Sequence, residues 1–197
     1  MSPAQLSHFD LSRNYTYADY LTWKFELIEL VKGKMLRPLS GPSRRHQDYI
    51  ANLLGQLLPF LRGKPCRAYH APFDVRLPSP GGANFDEQVY TVVQPDVCVV
   101  CDPAKLDDRG CLGAPDWVIE IISPGHTARD TKIKFDLYEE SGVSEYWILF
   151  PGEQTIAVYL LEAGRYRLSA EYAEPGPVPV RTLPGLAFDW SDIFTSP

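Results

Sequence analysis

Apolar positions in "SRRHQDYIANLLGQLLPFLRG", residues 43–63, recur at intervals of three and four through Ile50, Leu53, Leu54, Leu57, Leu58 and Leu61. That spacing predicts a helix with one apolar side, stopped at Gly63. A shorter helix is expected over "YADYLTWKFE", with Thr16 as its cap and Tyr17, Tyr20, Leu21 and Trp23 along one side. Another follows Pro124 and runs through "KIKFDLYEES" to Gly142. Between and after these helices the pattern shortens to that of strands. "LIELVKGKMLRPL" reads as a strand region with a turn at Gly33, and "CRAYHAPFDVRL" as one strand. "SEYWILF", "QTIAVYLLE" and "RYRLSAEY" are strands with turns at Pro151-Gly152 and Gly164. "PSPGGANFDEQ" is a loop, and the Pro-broken tail "VPVRTLPGLAFDWSDIF" is expected to pack against the body. The order of elements predicts an α/β fold, a mixed β-sheet flanked by helices. Residues 1–14 read as an irregular N-terminal arm and 15–197 as a single domain.

Two further runs, "VQPDVCVVCD" and "DWVIEIISP", look like buried strands, yet each carries one carboxylate, Asp96 or Glu120. A buried carboxylate is costly unless something pairs with it. Alternation places Asp96 with Cys98 and Val100 on one face, and Glu120 with Val118 and Ile122. If the strands are neighbours, both acids project into one cleft, where oxygen donors suit a hard cation such as Mg²⁺ or Mn²⁺. The other reading is two separate acids, each ion-paired with a nearby Lys or Arg.

Composition narrows the classes. A chain of 197 residues with 45% hydrophobic residues can bury one sizeable core. No apolar run approaches the roughly 18 residues of a membrane span, and the first residues lack the apolar stretch of a secretory leader. A cytoplasmic protein without a membrane partner is therefore expected. Cys98 and Cys101 form a lone C-x-x-C inside a strand, where their spacing sends the thiols to opposite faces. All four cysteines are read as buried small hydrophobes. The net charge of -6 argues against a nonspecific nucleic-acid coat but leaves room for a local basic face at Lys32, Lys34, Arg37, Arg44 and Arg45.

"QPDVCVV", "WVIEIISP" and "DTKIKFDLYEESGVSEYWIL" together resemble the Uma-type endonucleases, a branch of the PD-(D/E)XK nuclease superfamily. The resemblance runs from about Glu29 to Phe194 and includes "PFDVRL" before the Pro-Asp strand. It implies a restriction-endonuclease-like fold and a metal-dependent endonuclease acting on DNA, with Mg²⁺ or Mn²⁺ as cofactor. Asp96 and Glu120 match the two metal ligands, and Glu29 matches an additional acid. Ile122 stands where the superfamily pattern has lysine; Lys134 on the following helix matches the displaced lysine, with Lys132 as its rival. A homodimer is expected by analogy with nucleases that cut two strands.

The chemistry explains the residue types. A carboxylate-bound metal acidifies and orients a water, and an ammonium stabilises the charge that gathers on the attacked phosphorus. Other readings stand beside these. Lys134 lies four residues after Asp130 and could make an exposed helix pair. Glu29 could be an exposed strand acid, and Asp74 a turn partner. Arg45 and His46 open the long helix, whose N-terminus can bind substrate phosphate, or they serve packing and solvation. Tyr138 is expected to fill core space. A catalytically inactive binding or assembly module of the same fold is the alternative function.

Overall fold

The computed structural model describes residues 10, 12–23, 28–36, 43–79, 81–82, 84–122 and 128–195, with backbone alone for 128–130. Helix α1 spans Tyr17–Tyr20 and opens on a capping box. The Thr16 hydroxyl accepts the Asp19 N–H, and the Asp19 carboxylate accepts the Thr16 N–H at 2.9 Å. The helix stops a turn or more earlier than its apolar pattern suggests. The Thr22 hydroxyl donates to the Asp19 carbonyl at 2.6 Å, while the Trp23 N–H turns to the Tyr20 carbonyl. Strands β1 (Glu29–Val31) and β2 (Lys34–Leu36) form a hairpin over Lys32 and Gly33, whose φ angles of 49° and 79° require the left-handed region.

Helix α2 runs from Arg44 to Leu61 behind a Ser43 cap. It buries Tyr49, Ile50, Leu53, Leu57 and Leu61, whereas Leu58, which shares the periodicity, lies at the edge of the apolar stripe and is exposed. The later elements are β3 (Arg67–His70), β4 (Val75–Arg76), β5 (Val92–Val93), β6 (Val97–Val100), β7 (Leu106–Asp107), β8 (Gly110–Leu112) and β9 (Trp117–Ile121). Then come α3 (Ala128–Ser141), β10 (Glu145–Phe150), β11 (Thr155–Glu162), β12 (Arg165–Tyr172), β13 (Pro177–Pro179), β14 (Ala187–Asp189) and α4 (Trp190–Phe194).

The expected α/β class holds, but the strands divide between two six-stranded sheets and a small ribbon of β13 and β14. The first sheet has the order β2-β1-β5-β4-β8-β7, and the second β12-β11-β10-β9-β6-β3. Residues 66–77 therefore do not form one strand. The chain leaves β3 in the second sheet at Ala71-Pro72 and re-enters the first as β4, because a proline offers no N–H to continue the ladder. Residues 103–115, between the Pro-Asp strand and β9, carry the β7–β8 hairpin.

In the second sheet β9 pairs antiparallel with β6 and parallel with β10, and α3 makes the crossover. Alternation sorts its side chains into two layers. Val97, Val99, Trp117, Ile119 and Ile121 meet α2 and the C-terminal tail. Cys98, Val100, Val118, Tyr146 and Ile148 meet Leu137 and Tyr138 of α3 together with Val75, Val93 and Cys111 of the first sheet. The tail is latched by Glu145, a fully buried carboxylate. One oxygen accepts the Thr182 N–H at 2.7 Å and its hydroxyl at 2.9 Å; the other accepts Trp147 Nε1–H at 2.8 Å and the Arg181 N–H at 3.2 Å. Two cysteines depart from the expected reading: Cys66 and Cys101 form a disulfide, while Cys98 and Cys111 are free and buried. The bond follows from register, since Arg67 lies opposite Val100 and the next step sets Cys66 beside Cys101.

Candidate active site

The register of β6 and β9 decides what the two strand acids can do. Val97 faces Ile119 and Cys98 faces Val118, so one further step places Asp96 opposite Glu120. Directly opposed residues of an antiparallel pair share a face, with Cβ atoms roughly 5 Å apart. Asp96 is pinned there: its Oδ2 accepts the Ile121 N–H at 2.7 Å and stands 3.2 Å from His46 Nε2.

Lys134 reaches the same place from α3. Its Nζ lies 2.9 Å from Glu120 Oε1 and 3.0 Å from Glu29 Oε1. The Tyr138 hydroxyl, one helical turn on, donates to Glu120 Oε1 at 2.7 Å. Glu29 Oε1 also accepts the Gln94 backbone N–H at 2.8 Å. Glu29, Glu120 and Lys134, drawn from β1, β9 and α3, thus converge, with Asp96 beside Glu120. Lys132 points elsewhere. It pairs at 2.8 Å with Asp136, and both side chains are more than half exposed.

The contacts follow one pattern, each carboxylate being approached on one oxygen. Glu120 Oε1 accepts two hydrogen bonds, while Asp96 Oδ2 and Glu29 Oε1 each accept one backbone N–H and have a basic side chain close by, His46 and Lys134 respectively. Among the described residues nothing donates to the other oxygen of any of the three. Burial pushes the Glu120 carboxyl up to about 7; Lys134 pulls it down, and the charges of Asp96 and Glu29 add to the rise. For Lys134 burial disfavours the charge, but Glu120, Glu29 and Asp96 outweigh it and hold the ammonium above the ordinary lysine range. Burial likewise pulls His46 down, and the hydrogen bond and charge of Asp96, with the charge of Glu120, leave it raised.

Among the described residues no three His, Cys, Asp or Glu side chains form a group that holds a metal by itself. The open oxygens nevertheless fit one kind of ion. Mg²⁺ usually takes one or two carboxylates and completes its shell with water and substrate phosphate. Asp96 and Glu120 supply that donor set.

The remaining expected residues are placed as follows. His46 is buried, with Nε2 toward Asp96, and its Nδ1 is buried without a partner. Arg45 is exposed and lines a cleft of about 300 Å³ with Ser43, His46, Ile121 and Ile122. Lys32 pairs with Glu140 at 2.6 Å, Arg44 with Asp48 at 2.7 Å, and Lys34 donates to the carbonyls of Ser12 and Arg13. Arg37 lies outside the described residues. Asp74 accepts from the Tyr20 hydroxyl at 3.0 Å and from Gln94 Nε2 at 2.9 Å, a structural bridge beside the site. Tyr138 lies in the core as expected, and its hydroxyl bond to Glu120 is the clearest contact the sequence reading did not include. Its signal was the four-residue interval from Lys134, which puts both on one helix face. The role of the Gln94 N–H has no sequence signal, since any residue but proline provides one.

Acids on adjacent strands of one mixed sheet and a lysine from the crossover helix thus meet in one place. The same fold is seen in a crystal structure described as "a putative nuclease belonging to DUF820" from Anabaena variabilis ATCC 29413. It matches with a TM-score of 0.71 and 21% identity, covering 91% of this chain and 97% of that one. The family described as "Uma2: Putative restriction endonuclease" matches residues 17–191, and the chain belongs to that family. A curated relative, "Uncharacterized protein slr1290" of Synechocystis sp., is 26% identical over 134 residues, 66% of this chain and 65% of the relative's length.

Proposed function

We propose that the protein is a metal-dependent endonuclease that hydrolyses phosphodiester bonds of DNA. One observation carries the reading: three carboxylates on two sheets are approached through one oxygen each, around a part-buried lysine. Asp96 and Glu120 would hold Mg²⁺ or Mn²⁺, with Glu29 assisting. When bound, the ion would lower the pKa of a water and offset charge on the phosphate. Lys134 has three N–H donors; one binds Glu120, and Glu29 lies 3.0 Å away as an ion-pair partner, so even with both acids served one N–H would remain. The third is left for a phosphate oxygen, where an ammonium in a water-poor site stabilises the developing charge. Arg45, on the rim of the adjoining cleft, would hold a neighbouring phosphate. Family membership supports nucleic acid as the substrate.

The natural setting in this reading is the cytoplasm. No helix among the described residues is long and apolar enough to cross a membrane. The Cys66–Cys101 bond would meet reductants there. By analogy with nucleases that cut two strands with two copies, the reading includes a homodimer. A second reading, a binding or assembly module without activity, is favoured by one feature: Lys134 already supplies positive charge between two acids.

The deciding experiment incubates the protein with single-stranded, double-stranded and branched DNA, and with RNA, in Mg²⁺ or Mn²⁺. The endonuclease reading requires cleavage by the wild type and none by the Asp96→Asn, Glu120→Gln double variant. Millimolar Mn²⁺ should also raise the wild-type thermal midpoint and not that of the variant. Metal binding without cleavage of any substrate would select the module.

A further inference from the structure

We propose that His46 and Tyr138 are positioning residues: each ties down one oxygen of a metal-binding carboxylate and so turns the other oxygen toward the ion. The inference rests on the metal-dependent reading above. The two residues approach from different helices, His46 from the first turn of α2 and Tyr138 from α3. Tyr138 is fully buried, and His46, 8% exposed, sits in the wall of the cleft that Arg45 also lines.

Packing alone does not explain their polar atoms. A phenylalanine at 138 would keep the ring contact with Tyr146, 5.2 Å between centroids. The hydroxyl adds the 2.7 Å bond to Glu120 Oε1. The His46 ring has a buried Nδ1 with no partner, a cost that an apolar side chain of similar size would avoid. What the imidazole gains is the contact of Nε2 with Asp96 Oδ2 at 3.2 Å. Tyr138 completes a two-donor clamp on Glu120 with the Lys134 ammonium, and His46 Nε2 stands beside the Ile121 N–H on the same oxygen of Asp96. A carboxylate clamped on one oxygen has lost most of its freedom to rotate, so its second oxygen is presented in a fixed direction. Groups that orient metal ligands in this way commonly change metal affinity by about 10–100-fold when removed.

The test is direct Mn²⁺ titration of DNA-free protein by calorimetry, well below the thermal midpoint. Tyr138→Phe and His46→Ala should each weaken Mn²⁺ binding by about tenfold or more, and His46→Gln, whose amide can donate in place of Nε2, should recover most of it. His46→Leu serves if the alanine variant does not fold. A merely structural role would lower the metal-free thermal midpoint and leave the Mn²⁺ affinity of the folded protein unchanged. Wild-type affinity in Tyr138→Phe, or in both donor-free His46 variants, overturns the proposal while leaving the nuclease reading intact. If the wild type and the Asp96→Asn, Glu120→Gln variant bind Mn²⁺ equally, the metal reading itself falls, and this inference with it.

Discussion

Removing the ammonium of Lys134 should have a cost that depends on pH in a defined direction. In Lys134→Ala the nearly buried Glu120 keeps only the Tyr138 hydroxyl on its clamped oxygen, and Glu29 keeps only the Gln94 N–H. Breaking a buried ion pair by deleting one partner costs about 3–5 kcal/mol when the other stays charged. Glu120 has an escape, which is to take up a proton. Its carboxyl sits at about 7 with Lys134 pulling it down, so without the lysine it moves higher. Because the folded pKa lies above the unfolded one, Glu120 contributes stability at low pH that is lost as pH rises toward 7. Both proteins share that loss up to pH 7. Above it the wild-type carboxyl is already ionised, while the variant still holds its proton. The penalty of the mutation should then grow above pH 7, by at most about 1.4 kcal/mol per pH unit, until the variant's carboxyl ionises too. Urea unfolding with chelator present, at pH 6, 7, 8 and 9, measures it. Lys132→Ala, whose pair is exposed, should stay within about 1 kcal/mol of wild type throughout. A penalty that does not change with pH, or equal behaviour of the two lysine variants, would refute the reasoning.

Three further outcomes are expected. Mn²⁺ uptake at pH 6 should release close to one proton, since Glu120 must ionise, and far less at pH 8.5; calorimetry in buffers of different ionisation heat separates the two. Glu145→Ala should cost about 2 kcal/mol or more, because it leaves the Trp147 donor buried without its acceptor and frees the part-buried N–H groups of Arg181 and Thr182, where hydrogen exchange should accelerate. Arg45→Gln should weaken DNA binding by the inactive Asp96→Asn protein and reduce its salt slope by about one, whereas Arg44→Gln, already paired with Asp48, should change the slope less.

What could be read in the sequence was whatever repeats over several residues. The 18-residue helix α2 and the strands at 97–100 and 117–121 announced themselves by period, and so did the anomaly of Asp96 and Glu120 inside them. The division into two sheets was not legible. β4 and β5 are two residues each, too short to show any alternation. The disulfide depends on the pairing of β3 with β6, which local pattern does not specify. Tyr138 fills core space as its place on an apolar helix face suggests, but nothing in that pattern shows that its hydroxyl also meets Glu120. The motif marked Lys134, but its two carboxylate partners lie 14 and 105 residues away and became visible only when the strands were in place.

The seam between the sheets has a consequence for how such proteins change over time. The chain passes from β5 in the first sheet to β6 in the second through Gln94, Pro95 and Asp96, and Glu29 approaches from the first sheet while Glu120 belongs to the second. The acids are therefore only as well aligned as the two sheets are docked. A substitution in this three-residue junction could rotate one sheet against the other by a few degrees, leave both cores intact, and pull Glu29 away from Lys134. A descendant altered in that way would keep every acidic residue of the motif and still lose the contact between Glu29 and Lys134. Under the endonuclease reading, such a chain would carry the motif as a record of ancestry alone.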